Sequence, residues 1–68
     1  MEKSHWGIRI RAFRKLKRIN QVEFAKRTGI SISVLGKIER GERQATGDEL
    51  QIIAKNLQIN VTELKGEL

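Results

Sequence analysis

Four times along this chain a small polar residue follows an apolar one and is followed, four positions later, by another apolar residue. Asn20 stands between Ile19 and Phe24, Ser31 between Ile30 and Leu35, Thr46 between Ala45 and Leu50, and Asn60 between Ile59 and Leu64. A side-chain oxygen at such a position accepts from the free amides of a helix's first turn, and the flanking apolar pair clamps the entering chain against the helix. The pattern therefore fixes four helix starts and leaves little chain for strands. Glu23, Glu49 and Glu63 fall at the third helical position, where a carboxylate can reach back to the cap amide; the start at Ser31 has Val34 there instead. A helix whose amino end approaches phosphates is penalised by a carboxylate pointing the same way, so the missing acid sets the Ser31 helix apart.

Between the caps the apolar residues keep helical spacing. Leu50, Ile53, Ala54 and Leu57 recur at i, i+3, i+4 and i+7, and Trp6, Ile10 and Phe13 mark the core side of a first helix. Gly29 and Gly41 fall where helices should stop, because glycine closes a helix in the left-handed conformation at little steric cost. The reading is all-α, with five helices over 5–18, 21–28, 32–40, 47–57 and 61–65 in a single domain spanning 1–68.

At 68 residues and 38% hydrophobic, the chain can bury one small core and no deep pocket. It has no cysteine, and a lone His5 cannot assemble a tetrahedral metal site, so neither a metal nor another cofactor is expected. With no nucleophile–base set or paired acids either, catalysis is not expected. No apolar run approaches the roughly 18 residues of a spanning helix and MEKSHWG lacks the apolar segment of a secretory signal, which points to the cytoplasm.

A net charge of +6 implies a polyanionic partner, and the charge is unevenly spread. Residues 1–43 carry twelve Lys and Arg against four Glu, net +8, whereas residues 44–68 are net −2. The basic part contains two short helices, 21–28 and 32–40, joined by Thr28, Gly29, Ile30 and Ser31, with the small Ala25 where they would cross. That is a helix-turn-helix layout over about 21–40.

The block QVEFAKRTGISISVLGKIERGER, with IRAFRK before it and IIAKNLQINVTEL after it, resembles the Cro and phage-repressor type helix-turn-helix regulators, the XRE family. The resemblance runs from about Ile10 to Leu64. Gln21, Ala25, Gly29 and the IERGER segment make it specific. It departs at Arg18 and Gln58, where the family commonly has Gly, and at Ala45, where Pro is common; these departures bear on local stability.

The resemblance implies a five-helix, lambda-repressor-like fold that lays the helix starting at Ile32 in the major groove of double-stranded DNA. Ile32, Ser33, Gly36 and Lys37 are then the base-contacting candidates: Lys37 donates to guanine O6 and N7, Ser33 to several base edges, and Ile32 packs on a thymine methyl. Asn20, Gln21, Ser31, Arg40 and Arg43 become backbone contacts, Arg43 having no evident partner within the chain. Arg14 and Glu39 match a partly buried ion pair that orients the reading helix, and Val61, Leu64 and Leu68 form a candidate homodimer surface. The basic residues Arg9, Arg11, Lys15, Lys17 and Arg18 read as a solvated face that steers the approach to DNA.

The function implied is a sequence-specific transcriptional regulator, a repressor acting as a dimer on two operator half-sites. A competing reading with the same fold is an antitoxin-like module that sequesters a regulatory protein partner and autoregulates its promoter. Membrane binding through IRIRAFRKLKRI is set aside because its apolar positions match those needed for the helical core.

Overall fold

All four caps work as the sequence requires. The Asn20 side chain accepts from the Glu23 amide at 2.8 Å, Ser31 from Val34 at 3.2 Å, Thr46 from Glu49 at 3.1 Å and Asn60 from Glu63 at 2.7 Å. The computed structural model describes residues 5–67. In it these caps open α2 (Gln21–Thr28), α3 (Ile32–Glu39), α4 (Gly47–Leu57) and α5 (Val61–Lys65), preceded by α1 (Trp6–Leu16). No strand forms among the described residues. Of the three expected capping boxes only the one at Thr46 has both halves, the Glu49 carboxylate accepting from the Thr46 amide at 2.9 Å. Glu23 instead accepts from Arg27 one turn on.

Each helix is followed by a residue in the left-handed conformation: Arg18, Gly29, Gly41, Gln58 and Gly66, with φ between 59° and 78°. After α1 and α4 the next amide closes a Schellman bond, Ile19 to the Arg14 carbonyl and Ile59 to the Ala54 carbonyl, both at 3.1 Å. This explains why α1 ends at Leu16 and not at the expected residue 18. It also gives the departures at Arg18 and Gln58 a physical meaning, since a side chain at positive φ costs about 1 to 2 kcal/mol. After allowing for glycine's larger loss of backbone freedom, Arg18→Gly and Gln58→Gly should each stabilise the fold by about 0.5 to 1 kcal/mol. The double variant is expected to melt roughly 5 to 10 °C higher by circular dichroism; an unchanged or lower midpoint contradicts the strain.

Phe24, Ile10, Leu35, Ile38, Ile53, Leu57 and Leu64 are fully enclosed and draw on all five helices. α1 packs on α3, α4 and α5, and α2 on α3 and α4. Leu64 is thereby corrected from a dimer residue to a core residue: it is 0% exposed, the inner half of its own helix-start staple with Ile59. Val61 is half-buried against the same core, and Leu68 lies outside the described residues.

Two features of α1 depend on helices distant in sequence. Arg9 is not a solvated charge: its guanidinium donates to the carbonyls of Leu64 at 3.0 Å and Glu63 at 2.7 Å, closing the carboxyl end of α5. Gly7 meets the end of α3 so closely that a Cβ there would fall on the Ile38 carbonyl oxygen and lie 3.1 Å from that of Glu39.

Candidate nucleic-acid interface

α3 divides cleanly into an inner and an outer side. Leu35 and Ile38 are buried, each contributing about 1.5 to 3 kcal/mol by leaving water. One turn around the helix, Ile32 is 46% exposed, and Ser33 and Lys37 are exposed with it. No side-chain hydrogen bond or ion pair engages these three among the described residues. An isoleucine left in water while the core beside it is full is a residue with no use inside the chain.

The orientation of α3 rests on a buried ion pair. Arg14 Nε and Nη2 donate to the two carboxylate oxygens of Glu39 at 2.8 and 3.0 Å, while Nη1 donates to the Ile19 carbonyl at 2.8 Å. The side chains are 9% and 2% exposed, so α1, the turn before α2, and the end of α3 meet at one desolvated fork. Glu39 is the only acid of α3, and it faces inward; the outer side of the helix is left without negative charge.

Gln21, at the start of α2, donates from Nε2 to Glu39 Oε1 at 3.2 Å, which brings it beside α3. A Cβ on Gly36 would lie 3.0 Å from Arg40 Nη1 and 3.8 Å from Gln21 Nε2. The bare backbone at Gly36 is therefore a bed for two polar side chains. The structure gathers Gln21, Gly36 and Arg40 at one spot, which the sequence spacing does not reveal. Asn20 and Ser31 are exposed and already accept cap hydrogen bonds.

Arg40 and Arg43 differ in availability. Arg40 pairs with Glu42 at 2.6 Å, both side chains more than half exposed, and a pair in water is exchanged for a phosphate at little cost. Arg43 corrects the expectation that it lacks a partner: Nη1 and Nη2 donate to the two Glu49 oxygens at 2.8 and 3.0 Å. Hydrogen bonding from Arg43 holds the Glu49 carboxyl below the ordinary carboxylate range, against the opposing effect of burial. Because the folded value is lowered, this clamp contributes fully above the unfolded carboxylate range and is lost as pH falls through the lowered value.

Two further residues face the same side. Val22, 52% exposed, and Lys26 line a shallow depression with Ala25, Gly29, Ile30, Ser31 and Ile32, where α2 meets the start of α3. The signal was present in the sequence, since Val22 falls off the core spacing set by Phe24 and Thr28. Among the described residues no group of His, Cys, Asp and Glu is placed to hold a metal ion, and no helix is long and apolar enough to cross a membrane.

This geometry agrees with comparison to known proteins. The family profile described as Helix-turn-helix matches residues 10–64. An HTH-type transcriptional regulator of Bacillus subtilis (strain 168), YazB, itself uncharacterized, is 53% identical over 64 residues, 94% of this chain and 93% of that protein. The immunity repressor protein of Bacillus phage phi105 is 36% identical over 61 residues, 90% of this chain but 42% of the phage protein, so the match covers less than half of that relative. No solved structure matches significantly. With the α2–α3 pair, its glycine turn and its buried fork in place, the chain belongs to the helix-turn-helix family.

Proposed function

We propose that residues 1–68 form one DNA-binding domain, that of a sequence-specific transcriptional repressor that lays α3 in the major groove and acts as a homodimer on two half-sites. The observation that carries this reading is the outer side of α3, where Ile32, Ser33 and Lys37 stand in solvent, free of partners among the described residues, while the one acid of their helix, Glu39, is turned inward. The relatives named as a transcriptional regulator and an immunity repressor support it.

Lys37 donates to guanine, Ser33 to neighbouring edges, and Ile32 with Val22 packs on thymine methyls. Gln21, Arg40, Asn20 and Ser31 hold the backbone, with Gly36 seating the first two against it; Arg43 contributes there only when its clamp on Glu49 opens. Of the dimer surface, Val61 and Leu68 are what remains once Leu64 is assigned to the core, Leu68 lying outside the described residues.

Selection of bound duplexes from a randomised pool tests the reading. The chain should enrich a defined sequence. Lys37→Ala should relax the preference at one or two positions, at about 1 to 3 kcal/mol for the correct site. Arg40→Ala should weaken binding to all duplexes alike and lower the salt slope by about one. Equal affinity for every duplex contradicts the proposal.

A further inference from the structure

The outer face of α1 is unlike an ordinary solvated helix. Ile8, 62% exposed, and Leu16, 73% exposed, are among the most exposed large apolar side chains of the described residues, and exposed Ala12 lies midway between them at i+4. Together they make a two-turn apolar spine pointing away from the core side formed by Ile10 and Arg14. The expectation that the apolar residues of IRIRAFRKLKRI are consumed by the core holds for Ile10 and Ile19 and fails for these two.

Cations flank the spine on both sides. Arg11 and Lys15 run along one edge and take part in no ion pair among the described residues. Arg9 runs along the other, stacked 5.5 Å over Phe13. The small Ala12 lines clefts to either side: one with Ile8, Arg11, Gln21, Gly36, Glu39 and Arg40, and one with Arg9, Phe13 and Leu16. Large residues at i and i+8 with a small one between offer a groove to the ridge of another helix, and the unpaired cations Arg11 and Lys15 along one edge select that helix's charge.

We propose that this face docks an acidic amphipathic helix of a second protein, its apolar residues on Ile8, Ala12 and Leu16 and its carboxylates on Arg11 and Lys15. DNA phosphates have no use for an apolar spine, and a bilayer gains little from only two large aliphatic side chains. Because one cleft is shared with Gln21 and Arg40, a bound helix would lie against the proposed DNA-binding side. The docking itself is independent of the DNA reading and is measured without DNA.

The test uses the full chain, isotope-labelled, and a synthetic helical peptide with leucines at i, i+4 and i+8 flanked by glutamates. The peptide should bind in the micromolar range and shift the amides of Ile8, Arg11, Ala12, Lys15 and Leu16. A peptide with lysine for every glutamate should not bind. Ile8→Ser with Leu16→Ser, both at exposed positions, should keep the helical spectrum and lose at least tenfold in peptide affinity. The proposal is overturned if the peptide does not bind, if the double variant binds it equally well, or if anionic phosphatidylglycerol vesicles bind the face while the peptide does not.

Discussion

Arg14→Met should lower the unfolding free energy by about 3 to 5 kcal/mol, because it leaves the Glu39 carboxylate enclosed with only Gln21 as a side-chain donor. A chain of 68 residues has roughly 3 to 10 kcal/mol in all, so the variant should be largely unfolded or close to it at room temperature. The loss belongs to the stranded charge more than to the pair. Arg14→Met combined with Glu39→Leu, which removes both charges at similar volume, should therefore recover most of the stability. Urea titrations of the two variants decide the matter: a double variant no more stable than the single one would show that the fork is itself the main source of cohesion there.

Gly7→Ala is expected to cost a net 2 kcal/mol or so, at the upper end of overpacking effects, even though alanine is the better helix former. The obstacle is the carbonyl backbone at the end of α3, which cannot rotate aside as a side chain can. α1 and α3 must separate, and the fork between Arg14 and Glu39 must stretch with them. Gly36→Ala provides the contrast within the same chain. Its new methyl meets only the flexible ends of the Arg40 and Gln21 side chains, so helix propensity should win and stability should hold or rise by up to about 1 kcal/mol. Thermal melts that rank the two alanine variants in the opposite order would refute this account of the α1–α3 contact.

Both effects arise where helices meet, and that is also where the sequence was hardest to read. The caps at Asn20, Ser31, Thr46 and Asn60 are local devices, each complete within a few residues, so the helix starts were legible without any knowledge of the tertiary fold. The outer residues of α3 were legible for a related reason: Leu35 and Ile38 fill the inner side by spacing alone, which leaves Ile32, Ser33 and Lys37 outside. Leu64, Arg43 and Arg9 were misread because each is decided by a neighbour that spacing does not announce. Leu64 looked like surplus apolar surface on a short helix until α1 and α4 closed over it. Arg43 looked unpartnered although Glu49 is only six residues ahead, because the intervening loop folds back on itself. Gly7 carried a readable hint, standing three residues before Ile10 on the core side of α1, where only a close crossing explains the smallest residue.

The fork that sets α3 in place uses none of the side chains proposed to touch bases. Ile32, Ser33 and Lys37 can each change without disturbing Arg14, Glu39 or the enclosed leucines and isoleucines, so under the proposed reading mutation at those three positions would alter what is read and spare what holds the reader. A scaffold with that separation lets new operator preferences arise by single steps, each intermediate remaining folded. Gene duplication followed by divergence at three codons would then be enough to give a pair of regulators distinct targets where both began with the same one.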